Sequence, residues 1–260
     1  MTSLFVSHGA PTFALEPGLA GPALTRLGQD FPRPTAVLVV SPHWMTPEVQ
    51  VGLAETPATI HDFRGFDPEL YQLTYPAKGH PALARKALSL LDTAGWKPTA
   101  DASRGLDHGA WVPLMYLYPD ASVPVFQVSL PVHLDSNSAW HLGQVLAPLQ
   151  QEGVLIVGSG SLTHNLYEVR WKDSNGAEYA KAFSQWIRNA VLEGDHQQLI
   201  NALTLAPHAQ RAHPTTEHFL PLLVALGASA PKARASVIEG GIEHGVLSMD
   251  SFVFDALPRQ

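Results

Sequence analysis

The sequence contains no cysteine. This absence excludes disulfides, thiolate zinc sites, iron–sulfur clusters and thiol nucleophiles, and with them a secreted fold held by disulfides. Charge is also scarce, because Asp, Glu, Lys and Arg make up only 15% of the 260 residues and the net charge is −7. A mildly acidic chain without clusters of Lys and Arg is not expected to bind nucleic acid.

Long hydrophobic runs are absent as well. No stretch of 18 apolar residues occurs, and the N-terminus lacks the basic and apolar regions of a signal peptide. We therefore expect a cytoplasmic protein without a membrane partner. Apolar residues make up 45% of the chain, which is enough for a sizeable core. The low charge content permits a homodimer.

Short β-branched runs alternate with amphipathic patterns along the chain, and this alternation predicts a single α/β domain. The predicted strands are residues 4–6, 36–40, 49–53, 123–130, 154–157 and 236–238, with 252–254 as a final edge strand. The predicted helices are residues 81–94, 140–149, 178–192 and 216–226, with Thr215 or Thr216 as the N-cap of the last. Residues 56–79 form a long loop rich in Gly, Pro and aromatics, which predicts a cover over a site.

Histidine is abundant, with 13 residues. His8, His43 and His164 each follow a predicted strand. In open α/β sheets, sites form at the carboxyl ends of strands, so three parallel strands would bring these imidazoles to one edge. A single histidine after a strand is more often structural, but three at equivalent positions indicate a site. Without cysteine, the pattern indicates a mononuclear metal centre with nitrogen and oxygen ligands.

Two further segments concentrate polar groups. His108 lies beside Asp107, although sequence neighbours need not touch. Glu217 and His218 lie in the first turn of the last predicted helix. Helix N-termini favour acidic residues for dipole and capping reasons, so a structural role is the favoured interpretation of Glu217, whereas a neutral, metal-binding His218 is a reasonable alternative to a structural one. Arg64, in the long loop, could pair with a substrate carboxylate, but an ordinary surface arginine is the favoured interpretation.

Together these segments resemble the LigB-like extradiol ring-cleavage dioxygenases, in particular their DODA-type branch. Six segments match in family order, which makes the resemblance specific. They are residues 7–11 (SHGAP), 40–44 (VSPHW), 59–66 (TIHDFRGF), 105–111 (GLDHGAW), 158–165 (GSGSLTHN) and 213–222 (HPTTEHFLPL). The family often has Thr-Pro before its Glu-His pair, where this chain has Thr215 and Thr216. That proline favours helix geometry and carries no chemistry.

The resemblance implies a central mixed, largely parallel sheet flanked by helices on both faces, with one metal site. It makes His8 and His43 metal ligands and His218 the expected third. Glu217 and His164 stay open as alternatives for that third position.

The resemblance also implies roles for three other histidines. His164 corresponds to the acid–base residue, His108 to a catalytic or substrate-contacting residue, and His61 to a substrate-binding residue that faces the pocket. The implied reaction is cleavage of a catechol by O₂ at Fe(II), giving a muconic semialdehyde. Such sites bind zinc more tightly than iron, so we expect Zn(II) in purified protein, in a form without redox activity. A zinc-dependent hydrolase and a non-catalytic metal-binding relative remain the rival hypotheses.

Overall fold

The computed structural model describes residues 2–230 and 233–255. The strands are β1 (Thr2–Ser7), β2 (Ala36–Thr46), β3 (Gln50–Gly52), β4 (Thr99–Asp101), β5 (Val125–Pro131), β6 (Val154–Gly160), β7 (Arg234–Ile238), β8 (Ile242–Glu243), β9 (Leu247–Ser248) and β10 (Ser251–Asp255). The α-helices are α1 (Ala20–Asp30), α2 (Pro81–Thr93), α3 (His108–Leu117), α4 (Ser136–Leu146), α5 (Glu178–Glu193), α6 (His196–Ile200), α7 (Ala202–Leu205), α8 (Ala209–Ala212) and α9 (Leu220–Ala228). Short 3₁₀ turns cover Pro11–Ala14, Pro68–Gln72, Ala147–Glu152 and Leu166–Glu168.

Within the described part of the chain, eight strands form one mixed sheet in the order β4-β3-β5-β2-β6-β1-β10-β7. Its centre is parallel, because β2 pairs in parallel with both β5 and β6, and β1 pairs in parallel with β6. The outer partners β3 and β10 run antiparallel to β5 and β1. The predicted mixed, largely parallel sheet is therefore confirmed. Strands β8 and β9 form a separate two-stranded ribbon.

Both faces of the sheet are buried, which explains why the central strands are continuously apolar. Leu38 and Ile156 lie in one core cluster, which α2, α4, α5 and α9 cover. Val37 and Val157 point the other way, into a second cluster that α1 and α3 cover. Helices on both faces were predicted, and the structure confirms them. Among the described residues, no helix is both long enough and apolar enough to cross a membrane.

Three local differences from the predicted elements have physical reasons. The predicted strand at 252–254 is present as β10, but the prediction that it lies at the edge of the sheet is wrong, because β10 pairs with β1 on one side and β7 on the other. Helix α3 was missed because it is apolar on all sides and contains Pro113, so it carries no amphipathic pattern. Helix α1 was missed because Gly21, Pro22 and Gly28, which disfavour helices, interrupt its pattern of apolar residues.

The last long helix also begins later than predicted. Helix α9 starts at Leu220, and its N-cap is Phe219 without a side-chain hydrogen bond, so Thr215 and Thr216 do not cap it. Residues 216–219 form a turn instead, in which the Thr216 carbonyl accepts from the Phe219 and Leu220 amides. Glu217 and His218 therefore lie on this turn and not on the helix.

Candidate metal centre and active site

Strands β1 and β6 carry two of the predicted histidines to the same edge of the sheet. Their parallel register pairs Ser7 with Gly160, so the chain leaves both strands side by side. His8 follows β1 directly, and its amide donates to the Gly160 carbonyl at 2.9 Å. His164 follows β6 after a short turn, where its amide donates to the Ala212 carbonyl at 2.8 Å. The parallel arrangement on which the sequence argument depended is thus observed.

His43 reaches the same edge by a different route. The sequence placed it after a strand, but it lies within β2, which continues to Thr46. The register between β2 and β5 shifts between Val40 and Met45. A register shift of this kind bends a strand and redirects its side chains. His43 lies within this register shift, and its side chain faces His8.

His218 is held at the site by its own backbone. The Ser161 amide donates to the His218 carbonyl at 3.0 Å. Gly160 lies directly beneath, and a Cβ atom there would collide with the same carbonyl. Gly158 makes an equally close approach to the Pro221 carbonyl. The small residues of β6 thus let the turn before α9 pack against the sheet.

The histidines form two adjacent groups of potential ligands. His8, His43 and His108 offer one ligand atom each within 4.8 Å of one another, and so do His164, Glu217 and His218. The Nε2 atoms of His8 and His43 are 3.1 Å apart. The ring of His218 lies 5.5 Å from that of His8 and 5.2 Å from that of His43, between centroids. The two groups therefore form one continuous cluster.

Hydrogen bonds fix which nitrogen His8 and His218 direct into this cluster. The Ser159 hydroxyl donates to the Gly109 carbonyl, so it accepts from Nδ1–H of His8 at 2.9 Å. His218 Nδ1–H donates to the Glu217 carboxylate at 3.0 Å. In both rings this leaves Nε2 with a free lone pair. Among the described residues, the buried Nε2 of His218 has no hydrogen-bond partner.

This arrangement fits a metal ion. The Nε2 lone pair of His8 lies 3.1 Å from Nε2 of His43, so a cation bound here would take the lone pair of His8 and, with His43 protonated at Nδ1, that of His43 as well. A metal-bound imidazole ordinarily donates its other N–H to a hydroxyl, carbonyl or carboxylate, as His8 and His218 do here. By distance alone, His108 groups with His8 and His43 as closely as any residue, so the geometry also offers His108 as a ligand.

Burial keeps four imidazoles of the cluster neutral, those of His8, His43, His164 and His218. It lowers the pKa of His8 and of His218 well below the usual value, and the neighbouring imidazoles act in the same direction. Burial, together with His108, lowers the pKa of His43 to about 4. Burial likewise lowers the pKa of His164 to about 4, although the Glu217 charge opposes it. Neutral imidazoles are the form that binds a metal or accepts a proton.

Asp62 is a member of the site that the sequence argument missed. Its Oδ2 atom lies 3.0 Å from His108 Nδ1 and 3.5 Å from His43 Nδ1, and its Oδ1 accepts from the His108 amide at 2.9 Å. The Nδ1 contact with His108 has the distance but not the angle of a hydrogen bond. Burial opposes ionisation, but His108 and His43 lower the pKa of Asp62 to about 2. The matching segment 59–66 contains Asp62 and so pointed to its presence at the site, but not to its pairing with His108.

Asp107, the neighbour of His108 in sequence, has a different role. It caps α3 by accepting from the Ala110 amide, and its Oδ2 accepts from Gln127 at 2.8 Å and from Arg104 at 3.0 Å. The acidic partner of His108 is therefore Asp62, from the long loop. The cap fixes the first residue of α3, which is His108 itself.

His61 does not line the pocket. Its Nε2 pairs with the Leu73 carbonyl at 2.9 Å, and its ring lies 5.8 Å from those of Phe63 and Trp111. The structure thus brings His8, His43, His108, His164 and His218 together and leaves His61 behind the pocket wall. Glu217 lies at the site as the partner of His218, where its Oε1 also accepts from Thr215 at 3.0 Å.

A cavity of about 340 Å³ opens from the histidine cluster to the surface. Four histidines form its inner end, and most of the remaining wall is apolar or aromatic. The lining residues are Gly9, Ala10, Pro11, His43, Phe63, Arg64, Phe66, His108, His164, Leu166, Val169, Trp171, His218 and Leu247. At the mouth, Phe66 from the long loop meets Trp171, which is 57% exposed, with ring centroids 5.8 Å apart. The predicted loop 56–79 thus forms one wall of the cavity.

Comparison with known proteins agrees with this geometry. Residues 21–246 match the family described as the catalytic LigB subunit of aromatic ring-opening dioxygenase. The chain is 41% identical to a 4,5-DOPA dioxygenase extradiol of Beta vulgaris, with 97% of this chain and 96% of that protein covered. It is 42% identical to the protein of the same name from Escherichia coli K12, with 96% and 93% covered.

The fold has a solved counterpart. A crystal structure of an uncharacterized protein from Escherichia coli K12 superimposes with a TM-score of 0.83 at 35% sequence identity, covering 98% of this chain and 99% of that one. An α/β sheet with a histidine cluster at its carboxyl edge is typical of a metal-dependent enzyme, and the family match identifies the reaction class as aromatic ring opening. The chain belongs to the LigB family of extradiol aromatic ring-opening dioxygenases. It is therefore an oxidoreductase that acts on an aromatic compound with O₂.

Proposed function

We propose that this enzyme opens the ring of a small catechol at Fe(II) held by His8, His43 and His218. The observation that carries this proposal is the convergence of nitrogen lone pairs, since Ser159 and Glu217 accept from Nδ1–H of His8 and His218 and leave Nε2 of each ring unprotonated and directed into the cluster. A bound Fe(II) ion would supply the open coordination positions at which a catechol and O₂ meet.

The chain's own residues supply the proton transfers. A phenol with a pKa of about 10 needs a base to ionise near neutral pH. His164 lines the cavity and stacks on His218, so in this proposal its imidazole accepts a proton from a substrate hydroxyl and later returns it to the product. His108 lines the same inner end, and we assign it contact with the substrate ring or hydroxyls.

The remaining residues of the cavity hold the ring and exclude water. Phe63 packs its ring 5.6 Å from that of His108 and closes the cavity on one side. His61 supports this wall from behind through its contacts with Phe63 and the Leu73 carbonyl. We propose that residues 1–260 act as one catalytic domain, because β1 and β10, from opposite ends of the chain, are neighbours in the sheet beneath the site.

The metal is proposed to be iron for turnover. Imidazole sites bind Zn(II) more tightly than Fe(II), so protein purified in air is expected to contain zinc. Zinc has no redox chemistry, and zinc-loaded protein should not consume O₂.

The test is oxygen uptake by metal-free protein that has been reloaded anaerobically with Fe(II) or Zn(II). The iron form should consume one O₂ per catechol opened and give a yellow product, while the zinc form and the monomethyl ether of the same catechol should give none. Absence of uptake from folded, iron-loaded protein with every catechol of a panel would contradict the proposal. The zinc form would then be assayed against hydrolytic substrates.

A further inference from the structure

Arg64 is a cation without a partner at the wall of the substrate cavity. Within residues 2–230 and 233–255, its guanidinium has no hydrogen-bond or ion-pair partner. Within the same residues, five other arginines pair with carboxylates. These pairs are Arg33–Asp120, Arg104–Asp107, Arg170–Asp173, Arg188–Asp250 and Arg211–Glu168. Arg64 shares its lack of a partner there with surface arginines such as Arg85 but differs from Arg85 in lining the cavity.

The cavity offers Arg64 no acidic neighbour. No Asp or Glu occurs among the described residues that line the cavity, so Arg64 is the only permanently charged side chain in that wall. The nearest acidic residue in sequence, Asp62, is already engaged with His108 and His43. An arginine fork matches the planar geometry of a carboxylate and binds it in a bidentate manner.

The position of Arg64 suits a substituent on the substrate ring. Phe63 lies at the inner end, with its ring 5.6 Å from His108, and Phe66 lies at the mouth, against Trp171. Arg64 lies between Phe63 and Phe66 in sequence and lines the same cavity as an exposed residue. A catechol whose diol faces the histidines directs the substituent opposite the diol away from them, toward the exposed part of the wall to which Arg64 belongs.

We propose that Arg64 binds a carboxylate on the substrate side chain and makes the enzyme prefer catechols with an anionic substituent. This inference rests on the proposed function and names its substrate class. The described lining residues provide no carboxylate for an ammonium group. A cationic catechol is therefore expected to be the poorest substrate of a matched series.

The decisive experiment compares 3-(3,4-dihydroxyphenyl)propionate with its amide, which has the same size and no charge, on the iron-loaded enzyme. The ratio of kcat/KM for acid over amide should be about tenfold in the natural enzyme, as expected for one partly solvated charged hydrogen bond. Arg64→Gln should bring this ratio close to one, and Arg64→Lys should give an intermediate ratio. Dopamine should fall below the amide.

The matched control is Arg85→Gln, which removes an exposed arginine on α2, away from the cavity. It should leave the ratio of acid to amide unchanged. A ratio near one in the natural enzyme would overturn the proposal. So would a ratio that survives in Arg64→Gln or falls equally in Arg85→Gln.

A binding measurement separates this inference from the proposed function. 3-Phenylpropionate has the carboxylate but no diol, and its dissociation constant with metal-free protein can be measured by NMR titration. Arg64→Gln should weaken binding about tenfold, Arg85→Gln should not, and salt should weaken the difference. If the natural enzyme cleaves no catechol, the proposed function fails while this binding result still decides the inference. Equal binding by the natural protein and Arg64→Gln would overturn it.

Discussion

The imidazole rings of His164 and His218 lie face to face, with centroids 3.5 Å apart and planes inclined by only 9°. Two protonated imidazoles at this distance would repel each other strongly. Burial lowers the pKa of both rings, so both are neutral near pH 7. The stack therefore holds His164 in a fixed orientation beside a proposed ligand without adding charge to it.

Replacing His164 by phenylalanine separates two roles of this residue, the stacking of its ring on His218 and the proposed proton transfer by its nitrogens. His164→Phe keeps an aromatic ring on His218 but removes both nitrogens. We expect kcat to fall by about 10²–10⁴-fold, the usual contribution of a general acid–base residue. Oxygen uptake gives the rate, and metal analysis gives the occupancy, which should stay near that of the natural enzyme. Unchanged kcat would remove His164 from the proposed proton transfers.

Asp62→Asn tests whether the shared carboxylate orients His43 and His108. The amide keeps the size but loses the charge that faces both Nδ1 atoms. We expect metal affinity to fall about 10–100-fold, as is common for partners of ligand imidazoles. Competition with a chromophoric chelator measures this affinity. Asp30→Asn, at the exposed end of α1, is the control, and equal affinity in the two variants would contradict the assignment.

Metal removal should lower thermal stability as well as activity. A metal at 100 times its dissociation constant stabilises the folded state by about 2.7 kcal/mol. For a chain of this size, we expect chelation to lower Tm by roughly 5–10 °C. The Tm of His8→Ala should not depend on metal. Of His218→Ala and His108→Ala, the variant whose Tm also loses its dependence on metal identifies the third ligand. A full metal-dependent rise of Tm in His8→Ala would exclude His8 as a ligand.

Glu243 gives the chain a pH-dependent stability that is unrelated to catalysis. Burial, with a contribution from Glu16, raises the pKa of this carboxyl to about 7 from a usual value of 4.5. Below about pH 4.5 both folded and unfolded states are protonated and the group has no effect. Between that pH and about 7 the unfolded state ionises first, so stability falls as pH rises, and above 7 the loss is complete.

Glu243→Gln should remove this loss. Because the side chain is partly solvated, we expect the variant to gain about 1–2 kcal/mol over the natural protein at pH 8 and little at pH 4.5. Urea unfolding at both pH values measures the difference. The control is Glu55→Gln, an exposed carboxylate replaced by the same isostere. A gain that is equal at both pH values would show that the effect is not one of ionisation.

The sequence predicted the sheet and most of the histidine cluster because both leave short-range signals. Buried parallel strands are continuously apolar, and His8 and His164 follow such strands in small-residue turns. It could not predict Asp62 as the partner of His108, since 46 residues separate them and only tertiary packing joins them. The amphipathic criterion equally fails for α3, which is buried on every side.

The two glycines of β6 have a consequence for how this site can change. Gly158 and Gly160 let the Pro221 and His218 carbonyls rest directly on the sheet, so any side chain there would lift the turn that carries His218. The position of His218 in the histidine cluster is thereby fixed relative to the central sheet. By contrast, Arg64 and Trp171 of the cavity wall are exposed loop residues. We therefore expect substitutions in these loops to change which substrates bind, while the positions of the clustered histidines stay unchanged.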